Sequence, residues 1–206
     1  MLSHIINQLK TYRPNTRGVK RESAVLIPLI CHNDEWHLLF ERRALTLNAQ
    51  PGEICFPGGG IEPDESTLDA AIRETCEELN IEVKDIEVLG QIDSILTRFD
   101  TIIHCHVGII HLPLESIRYS EDEVDLLFTV PMTYFLSHDP DVYWMHSRFD
   151  IDEDFPFDSI PNGRNYNFKN ASYPTVFYQY EDFTIWGLTA RMVQHFVEIL
   201  KEDPSV

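Results

Sequence analysis

Between Gly58 and Ile81 the chain passes from three consecutive glycines into a helix-forming stretch that is crowded with carboxylates, and no other segment constrains the fold so tightly. Positions Leu68, Ile72, Thr75 and Leu79 recur at spacings of four, three and four, which predicts a helix over Ser66 to Leu79 with one buried face. On such a helix residues four apart lie about 40° apart around the axis, and residues three apart about 60° the other way. Glu74, Glu77 and Glu78 are therefore expected to share a flank away from that stripe. Like charges so placed destabilise a bare helix by about 0.2–0.5 kcal/mol per pair, and a hard divalent cation removes the repulsion. Magnesium takes one or two carboxylates together with phosphate oxygens and retained waters, so it suits an open cluster of this kind. Gly58-Gly59-Gly60 lets backbone approach a metal or phosphate closely. Arg73 stands beside the flank, where it can pair with the carboxylates and orient them. For the run Arg73 to Glu78 taken alone, a solvated charged helix face is the competing reading.

The remaining pattern predicts an α/β domain. Leu2, Ile5, Ile6 and Leu9 have helical spacing and mark a short N-terminal helix, about 1–13, ending before Pro14. Ala24 to Ile30 and Trp36 to Glu41 read as a β-hairpin across the polar turn 32–35. Glycines 52 and 58–60 and prolines 51, 57 and 63 make 48–64 a shaped loop with one brief strand at 54–56. Strands follow over 83–91, 92–96 and 101–112, the last turning at 98–100. Ser120-Glu121-Asp122-Glu123 has capping-box form and predicts a short helix before a strand over 126–130. Another short helix is expected over 132–136. Residues 137–172 hold no sustained period and read as an insertion or loop, facing either substrate or a second subunit. A strand over 173–180 and a helix bearing Met192, Val193, Phe196, Val197 and Leu200 close the chain. One domain over 1–206, with a mixed sheet packed between helices, is the expected architecture.

Charge limits the partners. The formal net charge of −18 excludes general nucleic-acid binding, which rests on many Lys and Arg contacts to phosphates. No apolar run is long enough for a membrane span, and the N-terminus is too polar for a signal-peptide core, so a cytoplasmic protein is expected. Cys31, Cys55, Cys76 and Cys105 form no CxxC pair and read as reduced, mostly buried thiols. A phosphorylated substrate would need local neutralisation by metal ions and a few arginines against the protein's own field.

The register of the glutamate helix resembles the signature of the Nudix hydrolases. Gly59, Glu65, Arg73-Glu74, Glu77-Glu78 and Ile81 match it across 23 positions, while Thr75 stands where an aliphatic residue is usual and Asn80 replaces a glycine. Asn tolerates left-handed geometry best among non-glycine residues, so it can still end the helix. The resemblance implies an α/β/α sandwich with a mixed sheet and hydrolysis of a nucleoside diphosphate linked to another group. It implies Glu74 and Glu78 as leading metal ligands, Glu77 assisting through metal or water, and Glu65 and Arg73 as supports. The catalytic base is left between a helix glutamate and Glu121 or Glu123, for which capping is the competing role.

Upstream, Leu39, Arg43, Ala44, Gly52 and Phe56 to Gly59 are similar to the additional motif of the coenzyme A diphosphatases within that family, from which Phe40, Glu41 and Asn48 depart. Asn48 stands where the motif has an arginine. Ser120 to Val124, Val130-Pro131 and Trp186 to Ala190 also resemble this branch. The resemblance implies hydrolysis of coenzyme A or a derivative with Mg2+ or Mn2+, giving 3′,5′-ADP and 4′-phosphopantetheine, with Arg42, Arg43 and Phe56 at the substrate. ADP-ribose hydrolysis and a non-catalytic nucleotide-binding module are the alternatives, and a homodimer is among the states left open. For Tyr143, Trp144 and Phe149, core or dimer packing is preferred over contact with adenine or pantetheine.

Overall fold

The structure is a computed structural model, and it describes residues 2–13 and 16–202. Its elements are α1 (Leu2–Thr11), β1 (Arg21–His32), β2 (Glu35–Arg43), β3 (Ile54–Cys55), β4 (Gly58–Gly60), α2 (Thr67–Leu79), β5 (Ile86–Leu96), β6 (Thr101–Ile110), β7 (Val124–Pro131), α3 (Met132–Ser137), β8 (Asp141–His146), β9 (Ser172–Tyr180), β10 (Phe183–Trp186) and α4 (Gly187–Lys201). Strand pairing follows the order β3-β2-β1-β6-β5, with β4 on β1 and β7 on β2, giving a mixed seven-stranded sheet, and β8, β9 and β10 form a second sheet. The fold class is α/β, as the sequence predicts.

The chain divides into two compact units, Met1–Pro28 with Pro57–Ser120, and Leu29–Phe56 with Glu121–Val206. In the first, β5 and β6 pair antiparallel around a turn closed by Asp100 at φ 57°, and β4 pairs with β1 through Val25↔Gly58 and Ala24↔Gly59. Ala70 and Ala71 of α2 are fully buried against Ala24, with Ile61 beside them, and these small side chains let helix and strand approach closely. β5 is a single strand whose residues are mostly exposed. Along α1 the stripe Leu2, Ile5, Ile6 and Leu9 is exposed throughout, and Pro14, the expected stop, lies outside the described residues.

In the second unit, Asn33 and Asp34 both adopt left-handed geometry (φ 53° and 62°) between the paired His32 and Glu35, which is the two-residue turn that matches strand twist. β2 lies between β3 and β7, with Glu41 opposite Cys55 on one side and Leu127 on the other. Phe40 is fully buried and stacks on Phe56 and Phe128 at ring-centroid distances of 4.8 and 5.4 Å. Thr189 of α4 donates to the Ile54 carbonyl (3.0 Å), fixing that helix to β3.

Several expectations need correction. Residues 120–123 form no helix: the chain turns there and enters β7 at Val124, while the reciprocal cap is made by Glu82 and Asp85 at a 3-10 turn before β5. The segment 137–172 contains β8, which needs its partner β9 to form and so leaves little local signal. Tyr143, Trp144 and Phe149 are exposed, which removes the core half of the core-or-dimer expectation. Of the four thiols only Cys105 is buried; Cys31 is exposed, and all four are free.

Candidate active site

Helix α2 is defined at both ends by its own sequence. Ser66 caps the N-terminus, accepting from the Asp69 N–H (3.1 Å) and donating to the Asp69 carboxylate (2.6 Å). Asn80 stops the helix at φ 50° and sends its N–H to the Cys76 carbonyl. Thr75 is fully buried, and its hydroxyl is satisfied by the Ala71 carbonyl (2.6 Å), which explains how it replaces an aliphatic residue.

The three glutamates are graded from inside to outside. The buried side of α2 is Ala70, Ala71, Thr75, Glu78 and Leu79, with Leu68 and Ile72 only partly covered. Glu78 therefore belongs to the buried face and not to a common exposed flank: it is 3% exposed and accepts from the Gly58 N–H at 2.9 Å. Glu74 is intermediate, and the Glu77 side chain is 57% exposed. The glycines make this grading sterically feasible. A Cβ on Gly59 would lie 2.4 Å from Glu74 Cδ, and one on Gly58, at φ 151°, would lie 2.3 Å from the Ala24 carbonyl oxygen. The β4 backbone thus leaves the volume that the Glu74 carboxylate fills.

Arg73 ties the flank together. Its Nε and Nη2 grip both oxygens of Glu65 (2.9 and 3.1 Å), Nη1 donates to Glu74 (2.9 Å) and Glu77 (3.3 Å), and Nη2 also reaches the Gly60 carbonyl (3.1 Å). The hydrogen bond to Glu65 is the largest cause of a raised Arg73 pKa, and the same bond holds Glu65 below the usual carboxylate range. The forked guanidinium suits this task, since a lysine could not hold both oxygens of one carboxylate in a plane while reaching two others.

As a donor set, Glu74, Glu77 and Glu78 offer only carboxylate oxygen, the ligand type of hard divalent cations. Among the described residues no group of three or more His, Cys, Asp or Glu side chains is placed to hold a metal ion by itself.

The expected substrate residues lie in the second unit. Arg42 donates from Nε to Asp125 Oδ2 (2.6 Å) and its Nη2 contacts the same oxygen, while its side chain stays 37% exposed. Arg43 donates to the Ala49 carbonyl (3.3 Å), which shapes the loop toward Gly52. Phe56 is 2% exposed and stacks on Phe40, so its ring packs in the core and not on an open surface.

One ionisable group was not picked out as functional. Glu41 is 1% exposed; Oε1 accepts from the Cys55 thiol (3.3 Å), and Oε2 has no hydrogen-bond partner among the described residues. Burial pushes its pKa up to about 7, with the nearby Glu123 adding to the rise and Cys55 and Arg43 opposing it. The available signal was a carboxylate ending the apolar run Leu38-Leu39-Phe40, at a position that also departs from the coenzyme A motif.

A NUDIX domain matches residues 20–133, more than half of the chain and the whole of the glycine turn and α2. The chain belongs to the NUDIX family. Over 202 residues it is 31% identical to an uncharacterised Nudix hydrolase, NudL, of Photorhabdus laumondii, covering 96% of both chains. Nudix hydrolase 3 of Caenorhabditis elegans is 29% identical over 183 residues, 87% of this chain and 73% of that one. The peroxisomal coenzyme A diphosphatase NUDT7 of Mus musculus is 32% identical over 133 residues, 64% of this chain and 55% of its own length. A MutT/nudix family protein of Enterococcus faecalis shares the fold with a TM-score of 0.50 at 14% identity, over 98% of this chain and 70% of that one. This NUDIX chain is thus a pyrophosphohydrolase acting on a nucleoside diphosphate derivative, in a family that generally needs divalent metal ions. Among its described residues no helix is long and apolar enough to cross a membrane.

Proposed function

We propose that the chain hydrolyses the pyrophosphate bond of coenzyme A or its derivatives, with Mg2+ or Mn2+, to 3′,5′-ADP and (acyl-)4′-phosphopantetheine. The observation that carries the chemistry is the seating of Glu74 and Glu78 against Gly59 and Gly58, which sets two carboxylates of different burial beside a close-approach backbone. The substrate choice is supported by Arg43, Ala44, Gly52 and Phe56 to Gly59, and by likeness to the coenzyme A diphosphatase of Mus musculus.

In this reading Glu74 and Glu78 hold the metal, with Glu77 at the rim. When bound, the metal stabilises charge on the phosphate oxygens and makes water a better nucleophile at neutral pH. Gly58 N–H fixes the Glu78 carboxylate, and Arg73, anchored by Glu65, fixes that of Glu74, so neither must reorganise during the reaction. Water forms a new bond to one phosphorus as the bridging P–O bond breaks, and an α2 glutamate accepts the water's proton. Arg43 stands for contact with substrate phosphates. The whole chain works as one hydrolase domain of the cytoplasm, either alone or as a homodimer.

Product analysis tests the reading. Coenzyme A with metal should yield the two products named, and Glu78→Gln should abolish turnover with the fold retained. ADP-ribose consumption with coenzyme A left intact would transfer the assignment to the ADP-ribose reading; Asn48, standing where the coenzyme A motif has an arginine, counts against the coenzyme A reading.

A further inference from the structure

Strand β8 is the open edge of the second sheet. The order β10-β9-β8 leaves its outer side without a strand partner among the described residues, and every residue from Asp141 to His146 is exposed. Val142, Tyr143, Trp144 and Met145 make an uninterrupted apolar row along it. Such an edge is a template for another chain, and folded proteins blunt it with Lys, Pro or a bulge. β8 contains neither Lys nor Pro, and it pairs with β9 from Asp141↔Phe177 to His146↔Ser172 without a register shift. β5 shows the contrast. It too is an outer strand, but its ladder with β6 shifts register at Val88/Gly90 and again at Ile92/Ile95, which bends the edge, and Glu87 and Asp93 put charge along it.

The strand itself indicates what covers it. Asp139 and Asp141 stand at its start, and His146 and Arg148 at its end. A second copy of β8 laid alongside in the antiparallel sense brings the acidic end of each copy beside the His–Arg end of the other, around a shared apolar middle. A parallel copy would set like ends together. At physiological ionic strength the rest of the chain's negative charge is screened beyond about 8 Å, so these local groups decide the encounter.

The area available agrees. Tyr143, Trp144 and, just past the strand, Phe149 are 61%, 60% and 61% exposed, and Val142 and Met145 are 44% and 46% exposed. At about 200 Å² for an aromatic side chain and somewhat less for the other two, they offer roughly 500 Å² per copy. Two copies therefore reach about 1,000 Å², the lower bound for a specific interface and the range of reversible ones.

We infer that the edge of β8 is an interface between two copies of this chain, which joins their three-stranded sheets into one continuous sheet about a twofold axis. The inference takes up the homodimer left open above and holds whatever the substrate is. A twofold axis between antiparallel strands passes through a pair of equivalent residues, so one residue stands opposite its own copy. The centre of the apolar row makes that residue Tyr143 or Trp144.

Sedimentation equilibrium of the full chain should show a mass that rises with concentration from 24.0 kDa toward twice that value, with a midpoint in the micromolar range. Trp144→Lys should raise the midpoint about tenfold or more with the circular dichroism spectrum unchanged. Leu89→Lys, at an exposed position of β5, should leave it where it is. Crosslinking reads the register. In a Cys31→Ser background, whichever of Tyr143→Cys and Trp144→Cys lies on the axis should form an intermolecular disulfide under mild oxidation. Directly opposed residues lie about 4.5–5.5 Å apart between Cα atoms, inside the range for a disulfide, whereas the other position is offset from its own copy and should stay reduced. A monomer at every concentration, an equal effect of Trp144→Lys and Leu89→Lys, or crosslinking of both variants or of neither overturns the inference. None of these measurements reads turnover. A monomer that cleaves coenzyme A would sink this inference alone, and a dimer that leaves coenzyme A intact would sink the coenzyme A reading alone.

Discussion

Replacing Glu41 by Gln should change how stability depends on pH. A carboxyl whose pKa is raised from 4.5 to about 7 binds its proton more tightly when folded than when unfolded. Between those two values the folded state holds more protons, so stability falls as pH rises, and it levels off above the folded pKa. At 1.36 kcal/mol per pKa unit, the loss between pH 5 and pH 8 is on the order of 2 to 3 kcal/mol for a group this buried. Gln has the shape of the protonated acid, can still accept from the Cys55 thiol through Oε1, and cannot ionise. The two proteins should therefore be close in stability at pH 5 and diverge toward pH 8, with Glu41→Gln the more stable. Urea denaturation at several pH values, followed by both fluorescence and circular dichroism, measures the gap. Titrating groups that do not interact with Glu41 are common to the two proteins and cancel, leaving Glu41 with its neighbours Arg43 and Glu123. Curves that stay parallel from pH 5 to 8, within about 0.5 kcal/mol, would refute the claim that burial outweighs Cys55 and Arg43 in setting the Glu41 pKa.

Gly59→Ala should leave the circular dichroism spectrum unchanged but displace the Glu74 carboxylate, whose Cδ lies 2.4 Å from the new methyl; a fall in kcat of about a hundredfold is expected, as for other 1 Å misplacements. Arg73→Lys keeps the charge but loses the fork on Glu65, and metal activation curves should shift by about ten- to a hundredfold in metal concentration. Asn80→Gly should be tolerated, whereas Asn80→Val, forced to φ near 50°, should cost about 1–2 kcal/mol in a thermal melt.

The parts of this fold that are local in sequence were the legible ones. α2 could be placed within a residue because Ser66 and Asn80 act through groups three or four positions away, and the first hairpin because Asn33 and Asp34 set its turn by themselves. What failed depends on distant neighbours. Glu78 looks like part of a charged flank until the Gly58 N–H, twenty residues earlier, draws it inward. The acidic stretch at 120–123 has the composition of a cap, but Ser120 N–H bonds to the Glu78 carbonyl and the next residues enter a strand paired with β2. β8 pairs with β9 across 25 intervening residues, a contact that no local period records.

A chain of net charge −18 must still accommodate a phosphorylated substrate. The glutamates of α2 are not left to repel each other: Arg73 neutralises the outer two and reaches the Gly60 carbonyl, while Glu78 is satisfied by backbone. A cation placed there adds positive charge only where phosphate must sit, and the rest of the surface stays negative and repels nucleic acid. Charge at α2 therefore favours a cation there, and through it the phosphates of a nucleotide substrate, on a chain whose remaining acidic residues repel polyanions.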